Sequence, residues 1–417
     1  MTQVGFYGDD FTGSVDALLQ YRRAGLDGVL LTGPDGDPSD GAGLAGRDVI
    51  GIAGISRSLP ADDLATEVAP ALVRLRDLGP RVVQYKACST ADSSPEIGSL
   101  GRVLEIARQL FPPRPVPMIF AQPDFGRYTV FGQHFASDGE RVHRLDRHPI
   151  MARHPVTPIA EADLARLIGR QTWLSVGSVP WTEYADPDRL STLINSGADA
   201  AVICDALTDD HLELVARAVL ADPAQPRFMI GSGGLSLGIG RAVGSEARGL
   251  SQSKPSQVSP ATDRTLALSG SASPRTRDQL RVAVAAGWRE LDLFQDGVSE
   301  RAVDLHRSGV PVVVHTLSRD GVEASDRVPD RLAEVAAACL DAVPETRLLS
   351  CGGDTSGSLL RRLGVRELII EAEPWGNLAF CRASLGTGSF EVILKGGQMG
   401  TADVFEDVRQ GRPHASC

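Results

Sequence analysis

Leu348-Leu349-Ser350-Cys351-Gly352-Gly353-Asp354-Thr355-Ser356-Gly357-Ser358-Leu359-Leu360 is the stretch that decides the fold class. Its apolar run reads as a buried strand. Gly352 and Gly353 interrupt it, and Ser358 to Leu363 has the apolar spacing of a helix ended by Gly364. Strand, glycine turn and helix N-terminus in succession form the repeating unit of an α/β protein. They also form a geometry that takes phosphate. Glycine lets the backbone approach an anion, the first-turn N–H groups have no partner inside the helix, and the helix dipole favours negative charge there. Thr355 and Ser356 add hydroxyl donors, and Asp354 is a candidate for holding a metal ion or its water. The same residues also suit an ordinary strand-to-helix turn with glycine at positive φ and a Ser/Thr cap. What decides between the two is whether the chain repeats the device.

It does so twice nearby. A strand at Thr265–Leu268 runs into Ser269-Gly270-Ser271-Ala272-Ser273-Pro274, with the proline suited to the first turn of a helix. Another at Ser389–Leu394 runs into Lys395-Gly396-Gly397-Gln398-Met399-Gly400. Three small-residue loops at strand ends suggest a nucleotide cradle. The loops at 269–273, 352–357 and 396–400 are the candidates for it. None of the loops is G-x-x-x-x-G-K-[ST] and none is a G-x-G-x-x-G fingerprint in context, so neither a P-loop nor a dinucleotide fold is indicated. Upstream, Ser245 to Arg264 is polar, holds Pro255 and Pro260, and loses all periodicity. The expected organisation is therefore a domain over 1–244, a linker over 245–264 and a domain over 265–417.

The first half starts with a strand at Val4–Tyr7, then Gly8-Asp9-Asp10-Phe11-Thr12-Gly13, then an amphipathic helix from Ser14 to Ala24. One acid would serve as a helix cap. Two adjacent acids are more than a cap needs, and at the carboxyl end of a strand, where open α/β sheets bind ligands, Asp9 and Asp10 are candidate site residues, with an Asp-rich cap the plainer alternative. Arg57 follows a strand at Asp48–Ala53 and could pair a carboxylate, or stand as a surface arginine. Past the strand Arg81–Tyr85, the run Lys86-Ala87-Cys88-Ser89-Thr90-Ala91-Asp92-Ser93-Ser94-Pro95 offers a cation, hydroxyls and an acid. That composition suits a polyhydroxylated acid, with Lys86, Ser89 and Thr90 as binding candidates; a Ser/Thr loop before a helix is the plainer alternative. From Gln122 to about Pro158 no clear period is visible, which points to a lid or another functional segment.

A chain of 417 residues has room for two or three domains. Its apolar content of 42% and charged content of 23% are those of a soluble globular protein. A net charge of −11 argues against a nucleic-acid surface. No apolar run has membrane-spanning length and no leader precedes the first strand, so a cytoplasmic protein without a membrane partner is expected. The six cysteines are scattered with no C-x-x-C, as expected of reduced thiols. His143, His148 and His154 lie among prolines rather than on a helix, which does not favour a transition-metal site.

Taken in order, the motifs resemble the four-carbon acid sugar kinases. Gly8 to Gly13 is similar to that family's A-D-D-[LF]-T-G, and Lys86 to Pro95 to its K-x-x-S-T-x-D-S-T loop. His154-Pro155-Val156-Thr157-Pro158 resembles H-P-x-T-P, and Asp205-Ala206-Leu207-Thr208-Asp209 resembles D-A-x-T-D. Gly270 to Ser273 resembles G-S-x-S, and Gly352 to Gly357 resembles G-G-E-T-S-G. The resemblance implies two α/β domains, each a mainly parallel sheet flanked by helices, with an active-site cleft between them. It implies that Asp9, Asp10, Arg57, Lys86, Ser89 and Thr90 serve a four-carbon sugar acid, and that Ser271, Ser273, Gly352, Gly353, Asp354, Thr355, Gly397 and Gly400 serve ATP with Mg2+. In the implied reaction the γ-phosphoryl group passes to a terminal hydroxyl. Either Asp9 or Asp10 is the general base, and Arg57 and Lys86 hold the carboxylate. The family also leans to a homodimer. Asp354 stands where the family has Glu, and Gly396 to Gly400 replaces S-G-N-F-G. Two other readings compete: a non-catalytic or diverged sugar-acid and nucleotide binder, and a sugar-acid phosphate phosphatase with Asp9 as nucleophile. The usual phosphatase signature spaces its acids one residue apart, whereas these are adjacent.

Overall fold

The computed structural model describes residues 2–33, 44, 46–246, 260–271, 273–317, 327–386 and 388–413, without the side chains of residues 246 and 354. The chain divides into two compact units, residues 1–253 and 254–417. Most of the 245–264 segment lies outside the described residues. The helix Gly233–Glu246 precedes it and the strand Thr265–Ser269 follows.

In the first unit the sheet order is Gly28–Leu31, Val49–Ala53, Val4–Gly8, Val82–Lys86, Arg227–Gly231, Val116–Ile119, Ala201–Cys204 and Val176–Val179. Every pairing among these is parallel. The central strands are buried along their whole length, the condition of a parallel sheet covered on both faces. The helix Phe11–Arg23 packs on Gly233–Glu246, which packs on Asp209–Leu220, while Leu64–Asp77 packs on Leu100–Leu110. Register places the site: Gly8 pairs with Ala53 on one side and Lys86 on the other. The residues that follow those three strands therefore emerge side by side.

The stretch from Gln122 to Pro158 is more regular than its sequence indicates. It forms a small antiparallel sheet of Arg127–Val130, Gln133–Ser137 and Val142–Arg144, followed by 3-10 turns. Strands of three to five residues carry too few alternations for a period to show. Ala136, Leu145, Ile159 and Ala162 give it a core of its own.

In the second unit Arg289–Asp292, Val312–His315, Thr265–Ser269, Arg347–Cys351 and Gly388–Lys395 run parallel. Ala379–Leu385 and Glu367–Ala372 continue antiparallel. Trp288, Trp375, Phe380 and Phe405 anchor the core, with edge-on ring contacts between Trp288 and Phe405 and between Trp375 and Phe380. Ser269 pairs with Cys351 and Cys351 with Lys395, so the three small-residue loops leave adjacent strand ends. The helix expected to begin at Ser358 begins at Gly353, which puts Thr355 and Ser356 in its first turn. Among the described residues no helix is long and apolar enough to cross a membrane.

Candidate functional site

Asp9 and Asp10 leave the first strand and meet Arg57, which sits on a 3-10 turn after its neighbour. Arg57 Nε donates to Asp9 Oδ2 at 3.1 Å and Nη2 to Asp9 Oδ1 at 2.7 Å, while Nη1 donates to Asp10 Oδ2 at 2.5 Å. One guanidinium thus bridges both acids. Burial would lower the Arg57 pKa, but the two carboxylates outweigh it and hold the group well above its ordinary value. Burial pushes the Asp9 carboxyl up, with Arg57 opposing the shift. Asp10 caps the helix Phe11–Arg23, accepting from Gly13 N at 2.7 Å. Its side chain is 19% exposed against 3% for Asp9.

Gly13 explains the motif's closing glycine. A Cβ there would lie 2.5 Å from Asp10 Oδ1, 2.9 Å from Lys86 Nζ and 3.5 Å from Arg57 Nη2. Lys86 is buried, donates to Ala87 O at 3.0 Å and reaches Asp16 Oδ2 at 3.9 Å. Sequence reading passed over Asp16. Burial pushes its carboxyl up against the opposing charge of Lys86, and Gln20 and Gln122 donate to it. The spacing Gly13, Asp16, Gln20 on one helix face was the available signal.

The loop after Lys86 is held from several directions. His134 Nε2 bonds Ser89 O at 2.8 Å, and its Nδ1 bonds the Thr129 hydroxyl at 2.9 Å. Thr157 donates to Asp92 and lies 2.8 Å from His154 Nδ1, and Gln171 Nε2 donates to Ser93 Oγ at 2.9 Å. Asp205 accepts from the backbone N–H groups of Phe131 and Gly132, fixing the hairpin that carries His134. The H-P-x-T-P and D-A-x-T-D segments are therefore fasteners around this loop. Thr90 is buried against Cys88, while the Ser89 hydroxyl makes no hydrogen bond among the described residues.

In the second unit the three loops touch. A Cβ at Gly270 would lie 2.6 Å from Thr355 Oγ1, and one at Gly397 would lie 2.9 Å from Ser271 Oγ. Gly352 has φ 114°, where side chains are strained, and stands directly before the first turn of Gly353–Arg362. Lys395, buried with its pKa lowered by burial, donates to Thr276 Oγ1 and to Gly396 O. Thr276 donates to Gly397 O, Gln279 holds the carbonyls of Met399, Gly400 and Thr401, and Arg275 donates to Gly400 O. The buried Ser273 hydroxyl has no partner among the described residues. Glycines, small hydroxyls and a helix N-terminus gathered in this way have the chemistry to take a phosphate group. The side chain of Asp354, the metal candidate, lies outside the described part, and no group of three metal-ligating side chains occurs among the described residues.

Comparison with known proteins agrees with this division of labour. Residues 4–239 match the family model described as a sugar-binding N-terminal domain, and residues 266–405 the one described as a nucleotide-binding C-terminal domain. The chain is 35% identical to a 3-oxo-isoapionate kinase of Paraburkholderia graminis, over 98% of its own length and 94% of the relative's. It is 29% identical to a 3-oxo-tetronate kinase of Methylobacterium radiotolerans, over 96% and 97%. A crystal structure from Salmonella typhimurium superposes with a TM-score of 0.80 at 25% identity, covering 97% of this chain and 98% of that one. Another, from Haemophilus influenzae, shares the fold with a TM-score of 0.78 at 23% identity, covering 97% and 99%. Six motifs in order, both domain models and full-length relatives converge: the chain belongs to the four-carbon acid sugar kinase family and is a carbohydrate kinase.

Proposed function

We propose that the protein transfers the γ-phosphoryl group of ATP to a hydroxyl of a four-carbon sugar acid, a tetronate, 3-oxo-tetronate or branched 3-oxo relative. The observation that carries this reading is the Asp9–Arg57–Asp10 bridge at adjacent strand ends, in a chain whose other unit supplies a phosphate cradle. Phosphoryl transfer asks the protein chiefly for positioning and charge neutralisation. Asp9 fixes Arg57, and Arg57 fixes Asp10. Asp10, the more exposed acid, accepts the proton of the substrate hydroxyl as its oxygen bonds to phosphorus and ADP departs. Ser89 and Thr90 meet substrate hydroxyls, and Lys86 keeps Asp16 and the helix face in place.

The amides and hydroxyls of residues 270–273, 352–356 and 396–400 hold the nucleotide's phosphates. Mg2+ supplies neutralisation of phosphate charge when bound. Such ions are commonly held by one or two carboxylates together with the phosphates themselves, so Asp354 alone is a sufficient protein contribution. A homodimer is proposed as the solution form, to be read by light scattering.

The test is ADP release over a panel of erythronate, threonate, their 3-oxo forms and 3-oxo-isoapionate, with wild type and Asp10→Asn. ATP-dependent turnover of at least one acid is expected. Phosphate release without ATP would indicate a phosphatase, and binding without turnover a non-catalytic protein.

A further inference from the structure

We propose that Arg127 receives the substrate's carboxylate and so selects acid sugars over neutral ones. This deepens the kinase reading of the same site and rests on it.

The two cations first considered for that task are committed elsewhere. Arg57 spends three N–H groups on Asp9 and Asp10. Lys86 is buried against Asp16. Two cations facing three carboxylates leave this cluster with a surplus negative charge, which repels an incoming carboxylate rather than attracting it.

Arg127 stands differently. It opens the strand Arg127–Val130 of the small antiparallel sheet that His134 fastens to the substrate loop. Its Nη1 is pinned by the carbonyls of Phe125 at 2.7 Å and Ser137 at 2.8 Å. Among the described residues its buried Nε has no acceptor and its Nη2 makes no hydrogen bond. No carboxylate pairs with it there. The Nε–Nη2 edge is the planar fork that takes a carboxylate two-pronged. The backbone of Arg127 exchanges hydrogen bonds with that of Gln122, whose Nε2 donates to Asp16, so the residue is tied to the acid cluster. Burial also lowers the Arg127 pKa, with no carboxylate acting against it. Arginine nonetheless keeps its charge, and a desolvated, unpaired charge is costly until an anion arrives.

The experiment compares wild type, Arg127→Gln and Arg127→Lys, using the panel acid that the wild type turns over fastest and erythritol, the neutral four-carbon polyol. In Arg127→Gln the KM for the acid should rise about 100-fold, the KM for ATP should hold, and the acid-over-polyol ratio of kcat/KM should collapse by the same factor. In Arg127→Lys, which keeps charge but loses the fork, the rise should be about tenfold. A folded Arg127→Gln with wild-type KM and preference overturns the proposal. If that variant does not fold, a wild-type preference in Arg127→Lys overturns it instead. If the wild type turns over no acid, the kinase reading fails separately. Arg127 is then judged by calorimetry with erythronate and no ATP: about tenfold weaker binding by Arg127→Lys supports it, and equal or absent binding in both proteins overturns it.

Discussion

The two units line their proposed anion sites with different materials. In the first, the strand ends carry charged side chains that hold one another: Arg57 across Asp9 and Asp10, Lys86 against Asp16. In the second the lining is backbone and small hydroxyls, with charge set back in the buried Lys395. A polyphosphate presents many equivalent oxygens and is met by repeated N–H groups. A small hydroxy acid must be told from its isomers, which requires donors and acceptors fixed one by one. The contrast bears on one departure from the family's pattern: Gln398 lies in a loop proposed to act through its backbone, where a side-chain change should cost little. In the acid cluster each side chain is another's partner.

The comparison is tested most sharply at Asp10. Asp10→Asn keeps the volume and one acceptor oxygen but removes the proton acceptor. kcat should fall about 1,000-fold, because general base catalysis contributes about 100- to 10,000-fold, and the unfolding midpoint should fall as well, because the amide offers one oxygen to two donors, Gly13 N and Arg57 Nη1. Full turnover by a folded Asp10→Asn enzyme would move the role to Asp9.

The next effect separates the units by pH. Each has a buried histidine whose pKa burial lowers to about 4: His134 beside the substrate loop and His306 against Thr346. For His134 the folded value lies below the unfolded value of about 6.5, so the neutral ring is the form the fold selects. Its contribution, about 3 kcal/mol, is complete above pH 6.5 and is lost as pH falls from there to 4. Protonation also turns Nδ1 from acceptor to donor, so the Thr129 hydroxyl must rotate to accept from it. Acid-substrate binding should weaken over the same pH window in the wild type, and less so in His134→Gln. His306→Gln should flatten only the stability profile. Urea midpoints and substrate KM measured from pH 7.5 to 4.5 distinguish the two.

Much of this organisation is readable from residue order alone. Asp9, Asp10 and the glycine loops announce themselves because strand, turn and helix are contiguous in the chain, and local chemistry is visible locally. What residue order hides is who pairs with whom. Arg57 is visible as a cation at a strand end, but its commitment to both acids depends on register 48 residues away. The contact between Gln122 and Asp16 spans 106 residues. Arg127 reads as one arginine in an aperiodic stretch until Phe125, Ser137 and the buried Nε show how it is held. The H-P-x-T-P segment is recognisable as a motif, yet its use as a fastener on Asp92 depends on folding of the intervening sheet.

The glycines give a paired comparison. Gly13→Ala drives a methyl group into Asp10 and Lys86, two side chains already fixed by ion pairs. The acid KM should rise about 30-fold, by about 2 kcal/mol, with nucleotide affinity unchanged. Gly352→Ala forces an ordinary side chain to φ 114° at the turn into the Gly353–Arg362 helix, a strain of about 1–3 kcal/mol. Nucleotide affinity should drop about tenfold while acid binding holds. Crossed effects, with Gly13→Ala weakening ATP and Gly352→Ala the acid, would dissolve the division between the units.

The smallest effect is expected at Thr157, where the substrate loop is tied from outside. Thr157→Val keeps shape and removes the hydroxyl that donates to Asp92. A single hydrogen bond contributes about 1 kcal/mol net, and Asp92 retains the His154 ring at 3.9 Å, so unfolding should be little affected. The loop it releases carries Ser89, whose hydroxyl makes no hydrogen bond among the described residues and is proposed to meet substrate. The acid KM should therefore rise about fivefold with kcat and ATP KM constant, because the loss falls on pre-organisation of binding rather than on the transferring group. A fall in kcat instead would mean that the loop aligns the acceptor hydroxyl during transfer, and the side-chain site would then extend from the acid pair out to the fastener.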